Sequence, residues 1–440
     1  MRPGDGVYPW VKLAYVSKPG TGHTPSRQRP ELWIPDECTI PWFTLADVWQ
    51  LRDDTVVNVM ETETCVSQAG LENSAAVLHP AGTVLLSRTA SVGFSAVMGR
   101  DMAVSQDFIT WTPAPRLRSH YLLYVLRALR PHLRGLMYGS THKTIYMPDL
   151  LALRAPVPPV QAQDVIVDFL DQEGARIESL RGEIRRAHGL LAEQLTGYFN
   201  ALLDGRQRTD VPLRRVIRSI ADGPFGSSLA SEHYTENEDV RVVRLGNVGR
   251  AEFRDEDRAY ISSQYANSAL SAHYLRGGDV IVAGLGDTNH PLGRACVVPD
   301  DLGPAIHKAD CYRVVVDADK CVPEYLAIAL SYGPAVEFAP LLSRGATRSR
   351  LNTVVARELP VPLIDVEEQR EVADIFQRKR AEINAIAQQY VDLDTELVEY
   401  RQALIAEAVT GQVDLMGRSS GHRDVDVADA NVDHAPKALA

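Results

Sequence analysis

The stretch from Val366 to Gly411 reads VEEQREVADIFQRKRAEINAIAQQYVDLDTELVEYRQALIAEAVTG. Core-type positions recur in it at alternating four- and three-residue steps: Val372, Phe376, Lys379, Ile383, Ile386, Tyr390, Leu393, Leu397, Tyr400 and Leu404. Lys379 alone is out of character. A seam of that period predicts one long helix packed against a second of its kind. Asp365, with Glu368 three residues on, predicts its N-terminal cap, and Gly411 its stop. At about 1.5 Å per residue such a helix spans roughly 65–70 Å.

The partner lies in the same chain. Displaced by 206 positions, Phe376, Ile383, Tyr390, Leu397 and Leu404 fall on Leu170, Ile177, Ile184, Leu191 and Tyr198. Gln369 falls on Gln163 and Asp374 on Asp168. Each predicted rod follows a proline-rich run of one form, Ala155-Pro156-Val157-Pro158-Pro159 and Leu359-Pro360-Val361-Pro362-Leu363. The chain is thus a duplicate: globular part, rod, globular part, rod. The boundaries read as 1–157, 158–205, 206–361 and 362–412, with a polar tail over 413–440 that reads as disordered. The repeat favours pairing of the rods within one chain over a coiled coil that only dimerises the protein.

The bulk properties fit that plan. A chain of 440 residues, 45% hydrophobic and 23% charged, has room for two ordinary domains besides the rods. No run of about 18 apolar residues predicts a membrane span, and MRPGDGVYPWVKLAYV has no signal-peptide core. Five cysteines, an odd number without CxxC spacing, fit a reducing cytoplasm and give no disulfide framework or zinc knuckle. The net charge is −11, but −4 falls on residues 156–205 and −6 on 360–412. The acid therefore belongs to solvated helix faces, and the near-neutral globular parts remain free to carry a basic face each.

Both globular parts read as mixed α and β. In the first, Ile40 to Leu45 reads as a strand, His79 to Met98 as strand, turn and strand, and Ser119 to Leu136 as helix. In the second, Val240 to Val248 and Arg276 to Val298 read as strands, and a helix starts at Tyr325. The loop between Gly278 and Gly293 is four residues longer than its counterpart between Gly82 and Gly93. Catalytic motifs are missing from the pattern. Gly284-Leu285-Gly286 follows a strand, but no helix follows it to hold a nucleotide cofactor, and there is no GxxxxGK[ST] loop. His290, His307 and Cys311 have no metal spacing, and no hydrolase elbow appears.

The proline-rich end, the EEQ and the helix closing in EYRQALIAEAVTGQVDL resemble the C-terminal region of type I restriction–modification specificity subunits. GHTPS followed by Trp33 and Pro41-Trp42 resembles the opening of one class of their target recognition domains. GPFGSSL, VRVVRLGNV and GGDVIVA resemble another class. The resemblance covers about residues 10–415. Two features depart from it: Gln161-Ala162-Gln163 replaces a fuller acidic pair before the glutamine, and the acidic tail lies outside the pattern. The resemblance implies an α+β fold, with two mixed α/β target recognition domains separated by two long helices that form an antiparallel coiled coil. It implies a non-catalytic, cytoplasmic protein that binds double-stranded DNA and no membrane. Each domain would read one half of an asymmetric, bipartite site. Two adenine methyltransferase subunits, carrying the S-adenosylmethionine, would dock on the chain, and motor–nuclease subunits could join them. The rival readings are a stand-alone DNA-modifying enzyme with a degenerate motif and a coiled-coil scaffold that binds protein alone.

Base reading needs side chains that match base edges, while phosphate contacts only position a domain. In the first part the candidates are Ser26, Arg27, Arg88, Ser91, Ser140, Thr141, His142 and Lys143. In the second they are Ser227, Ser228, Arg244, Asn247, Thr288, Asn289, Arg294, Lys308, Thr347, Arg348 and Arg350.

Overall fold

The computed structural model describes residues 6–139, 143–287, 290–342 and 349–415. The chain forms two compact units, residues 1–184 with 392–440 and residues 185–391. Each unit therefore holds one globular region and a part of each long helix. The helices run Val160–Leu203 and Val366–Thr410, 206 positions apart as the repeat requires. Asp365 caps the second helix as the sequence predicts, accepting the Glu367 N–H at 2.9 Å, while the Glu368 side chain pairs with Arg206 at 3.0 Å. Gly411 takes φ +77° just past the last turn, and Gly205 takes φ +78° beyond Leu203.

The first unit contains β1 (Trp10–Lys12), β2 (Ser17–Thr21), β3 (Cys38–Phe43), β4 (Asn58–Val59), β5 (Cys65–Ser67), β6 (Val84–Ser87), β7 (Ser95–Met98), β8 (Ala103–Val104), β9 (Phe108–Pro113) and β10 (Arg154–Pro156). They form sheets ordered β2-β9-β6-β7-β4 and β5-β3-β8, with β1 on β10. β6 is buried on both faces. Val84 and Leu86 join a core with Tyr121, Leu122 and Val125 of the helix Ser119–Ala128. Leu85 points into a second core with Phe43, Met98 and Phe108. The period-two alternation of a strand sends neighbours to opposite sides, so a continuous apolar run suits it. The predicted helix 119–136 stops at Ala128, and a separate short helix, Arg130–Gly135, carries Pro131 in its first turn, where proline is tolerated.

The second unit repeats the plan with β11 (Thr209–Pro212), β12 (Ile217–Ala221), β13 (Tyr234–Thr235), β14 (Val240–Val243), β15 (Tyr260–Ile261), β16 (Val280–Ala283), β17 (Leu285–Gly286), β18 (Ala295–Val297), β19 (Ala305–His307), β20 (Cys311–Val316), β21 (Ser349–Arg350) and β22 (Pro360–Leu363). The sheets run β12-β20-β16-β18 and β13-β15-β14-β19, with β11 on β22 and β17 on β21. Val280 and Val282 pack with the helix Pro323–Tyr332, while Ile281 and Ala283 face a separate core with Val243 and Cys296.

The repeated glutamines explain how each long helix starts on its globular region. Gln163 accepts the Arg118 N–H at 2.8 Å and donates to the carbonyls of Arg116 and Pro158, both at 2.9 Å. Gln369 accepts the Val322 N–H at 2.8 Å and donates to Lys320 at 3.0 Å and Ile364 at 2.9 Å. Arg118 and Val322 stand at the N-caps of the helices Ser119–Ala128 and Pro323–Tyr332 and lack a capping side chain of their own. A glutamine from the long helix thus satisfies an orphan donor of the neighbouring helix.

The helix seam differs from the predicted one in its second column. Leu170, Ile177, Phe376, Ile383 and Leu404 are buried, and Ile184, Leu191, Tyr198, Tyr390 and Leu397 are half-buried. Ile386, Leu393 and Tyr400 are 41, 42 and 54% exposed. The second column lies one residue further on, at Arg380, Ala387, Asp394, Arg401 and Ala408, all half-buried or buried. Its polar members are paired. In the first unit Arg181 donates to both oxygens of Asp394, at 2.8 and 3.0 Å, and Arg181 and Arg401 both reach Glu178. Also in that unit, Ile166 and Leu170 share a core with Leu404, Ile405 and Ala408. In the second unit, Leu195, Phe199 and Leu203 share one with Val372, Phe376 and Ile383. Glu173 and Lys379 pair locally with Arg176 and Glu382.

Candidate nucleic-acid interface

Strand pairing gathers the loops of each unit at one end of its sheets. In the first unit, β2 ends at Thr21 opposite Ile109, and β6 ends at Ser87 opposite Phe108. β3 ends with Phe43 beside Val104 of the parallel β8. The ends of β2, β3, β6 and β8 therefore meet at the start of β9. In the second unit, β16 ends at Ala283 opposite Cys311, the first residue of β20, and β12 ends at Ala221 opposite Arg313. β14 ends with Val243 beside His307 of the parallel β19. A glycine in each unit lets the crossing loop sit close. A Cβ at Gly22 would fall 1.7 Å from the Val104 carbonyl oxygen, and one at Gly223 would fall 2.2 Å from the Lys308 carbonyl carbon. A rigid sheet end carrying several loops can vary its chemistry without disturbing the core.

At the first end Ser26 and Arg27 are exposed. The Arg27 guanidinium lies 3.9 Å from the Trp33 ring centroid and 5.5 Å from that of Trp42. Trp33 Nε1 donates to the Ser26 carbonyl at 3.0 Å, which fixes the turn. Lys143 is exposed, and its carbonyl accepts the Ala90 N–H at 2.9 Å. Arg88 is half-buried and spends its donors on the Gln106 and Ile145 carbonyls, at 3.0 and 3.3 Å. Ser91 is half-buried, with its carbonyl accepting the Ser87 hydroxyl. Ser140, Thr141 and His142 lie outside the described residues. Tyr138 and Tyr146, neither of them among the candidates, stand exposed as a ring pair 5.6 Å apart.

At the second end Ser227, Ser228 and Arg350 are exposed. Lys308 is half-buried and donates to the Tyr234 hydroxyl at 3.1 Å. Arg244 is ion-paired with Asp257 and lies over Tyr234, 6.0 Å from the ring centroid. Two candidates are corrected. Asn247 is fully buried: its oxygen accepts the Arg244 N–H, and its amide donates to the Arg254 and Asp257 carbonyls at 2.8 and 3.0 Å. Arg294 is also buried and donates to the carbonyls of Val248, Leu285, Pro291 and Leu245 at 2.7–3.2 Å. Burial pushes its ionisation below the usual arginine range. Both side chains spend their donors on holding loops together, and Arg294 shows only an edge to solvent. Thr288, Asn289, Thr347 and Arg348 lie outside the described residues.

The groups missed on this face are Phe225, Tyr234 and Asp310. Phe225 could be suspected from its place between Pro224 and Gly226 in the turn-rich GPFGSSL, and its ring is exposed. Asp310 has no local signal, since its partner Arg350 is 40 residues away. The Asp222 carboxyl, which accepts the N–H groups of Gly223 and Asp310 at 2.8 Å, is raised above the usual range, chiefly by burial. An open hollow in this unit is lined by Leu245, Gly246, Leu285, Gly286, Asp287, His290 and the edge of Arg294. Among the described residues no group of three or more histidine, cysteine, aspartate or glutamate side chains could hold a metal ion. None of the described helices is by itself long and apolar enough to cross a membrane.

Comparison with known proteins follows the same lines. Residues 36–186 match the family model of the type I restriction modification DNA specificity domain. The type I restriction enzyme MjaIX specificity subunit of Methanocaldococcus jannaschii is 23% identical over 43% of this chain and 43% of its own length. The EcoR124I/EcoR124II specificity subunit of Escherichia coli is 22% identical over 45% of this chain and 48% of its own length. The chain thus aligns with about half the length of each of these relatives. A solved chain from work on complex assembly and conformational transition of the type I R-M system covers 94% of this chain and all of its own, with TM-score 0.65 and 16% identity. At that identity the likeness is one of fold. Residues 36–186 thus match the type I restriction modification DNA specificity domain, and the solved type I R-M chain shares the fold.

Proposed function

We propose that this chain is the non-catalytic DNA-reading subunit of a type I restriction–modification complex. One observation carries the reading: two globular regions of shared topology, each with its loops collected at one sheet end, follow one another with a long helix after each. Two reading ends with different side chains suit a bipartite target whose halves differ in sequence. The two long helices pair as an antiparallel coiled coil that spaces the halves. The Arg181–Asp394 and Arg401–Glu178 pairs support that direction in the first unit, and the two helices also meet in the second, where the Phe199 and Phe376 ring centroids are 5.9 Å apart.

Adenine methyltransferase subunits, which bring the S-adenosylmethionine, dock on the chain, and motor–nuclease subunits can join. The outward apolar side chains Leu180, Leu393 and Tyr400 of the first unit are the surface we assign to a methyltransferase subunit. Co-expression with an adenine methyltransferase subunit, followed by mapping of methylated adenines, tests the function. The pair should leave a bipartite, asymmetric methylation pattern, and the isolated chain should transfer no methyl group. Methylation by the chain alone would overturn the reading.

A further inference from the structure

We infer that Arg350 reads a guanine in the half-site contacted by the second unit, with Asp310 and Phe225 as its positioning residues. The inference rests on the DNA-reading function proposed above and assigns one base contact within it.

The arginine is held from three sides. Its backbone is paired through β21 to β17, with Arg350 opposite Leu285. Its Nε donates to Asp310 Oδ1 at 2.8 Å, and Nη2 lies 2.8 Å from the same oxygen. The face of the guanidinium lies over Phe225, 5.4 Å from the ring centroid. Asp310 is fixed in turn: its N–H donates to Asp222 Oδ1 at 2.8 Å, and its carbonyl accepts the Gly284 N–H at 2.8 Å. Despite these restraints the Arg350 side chain is 49% exposed, and so is Phe225. The inner edge of the fork is occupied. Nη1 and the outer hydrogen of Nη2 remain for an acceptor outside the protein.

Two parallel donors on a pre-set plane match O6 and N7 of guanine in the major groove. Fixing the plane beforehand removes much of the ordering cost of a long side chain. A phosphate clamp would be built differently. It needs positive charge rather than a fixed plane, and a carboxylate 2.8 Å from the guanidinium would repel the phosphate it is meant to attract. The first unit has no such reader at the matching place. The residue 206 positions earlier is Thr144, whose hydroxyl meets that of Thr89 at 3.4 Å. The equivalent place in the first unit therefore offers no arginine for the same contact.

The test uses the full chain with its methyltransferase subunit, read by methylome mapping and by competition binding over a range of salt. R350A should lower discrimination at one guanine of one half-site by roughly 5- to 150-fold and leave the other half-site read as before. R350K keeps the charge and the salt slope but lacks the fork, and should lose the same discrimination. D310N keeps a residue that tolerates the φ of +64° found there. It should blur that same position without weakening binding to unrelated duplex. The assignment is overturned if R350A weakens all sequences alike and cuts the salt slope by about one, the mark of a phosphate contact. It is overturned equally if the motif is unchanged in R350A and R350K. A wild-type complex that leaves no bipartite pattern refutes the proposed function itself. A bipartite pattern indifferent to Arg350 refutes only this contact.

Discussion

Each globular region is fastened to the second long helix by an arginine that reaches an equivalent turn, but the side chains behind the two turns differ. In the first unit Arg401 donates to the carbonyls of Asp53 and Asp54 at 3.3 and 2.7 Å. In the second, Arg380 donates to the carbonyls of Arg250 and Ala251. Asp54 and Ala251 both follow the 3-10 turn after β3 or β14, and both are left-handed, at φ +60° and +55°. Beyond the backbone the likeness stops. Asp54 is a buried carboxylate that takes a bidentate pair from Arg130 at 2.7 and 2.6 Å and lies 3.6 Å from Arg127. Ala251 has no charge to offer. Its neighbour Arg250 instead lies over Tyr332, 4.2 Å from the ring centroid, and donates to the Ser331 carbonyl. What both units keep is the adjacent pair of carbonyls and the arginine that caps them. The side chain behind the turn is free to change because it serves only its own core.

The largest expected effect tests whether the helices act as a pair. Seven residues added to one long helix alone would leave a heptad without partners, and assembly and methylation should be lost. Seven added to both, at matching depth, preserve the seam and lengthen it by about 10.5 Å. The recognised halves should then stay the same with roughly three more base pairs between them, at about 3.4 Å each. Methylome mapping reads both variants. An active, doubly lengthened chain that keeps the original spacing would show that the helices do not set it.

Next comes the charge behind the first turn. Asp54→Asn tolerates the backbone angle but leaves Arg130 and Arg127 without a counter-charge. Arg127 Nε and Nη1 are already buried without hydrogen-bond partners. Removing one partner of a buried pair costs about 3–5 kcal/mol. Urea titration followed by hydrogen exchange should place that loss in the first unit and leave amides of residues 185–391 protected. An equal loss in both units would mean that the two attachments are not separate.

A smaller, pH-dependent effect belongs to the second unit. His307 is fully buried, its Nδ1 is 2.6 Å from the Cys311 carbonyl oxygen, and its Nε2 has no partner. Burial lowers it from the usual 6.5 to about 4. The unfolded chain therefore takes up a proton before the folded one does. Stability is full above about pH 6.5 and falls as pH drops towards 4, by about 3 kcal/mol at most. His307→Asn keeps a donor towards Cys311 and does not titrate, so it should flatten that slope. A slope unchanged in the variant would place the acid sensitivity elsewhere.

The smallest effect sharpens the comparison at its centre. Ala251 holds a left-handed angle that costs an L residue about 1–2 kcal/mol. Ala251→Gly should raise the stability of the second unit by about 1 kcal/mol, less the added freedom of the unfolded glycine. Asp54→Gly, at the same angle, should instead lower that of the first. Thermal melts of the two variants shifting in the same direction would remove the distinction.

The sequence by itself determined the duplication, the extents of both long helices and the buried strand pairs Val84–Met98 and Val280–Val297, because these rest on periodicity and on caps that act within a few residues. It also placed Gln163 and Gln369 in register, and both make the same three hydrogen bonds. The second column of the helix seam was beyond it. A step of three or of four residues both keep a side chain on one face, and the apolar Ile386, Leu393 and Tyr400 looked the better choice. Only the facing helix, whose Arg181 and Glu178 meet Asp394 and Arg401, decides for the polar column. The candidate interface divides the same way. Sequence marked several of the loops that gather at the sheet ends, since glycine, proline and polar clusters betray loops. Which arginine in a loop turns inward depends on carbonyls brought from elsewhere in the chain. Those contacts bury Arg294 under Val248 and Leu245 and leave Arg350 upright on Phe225 and Asp310.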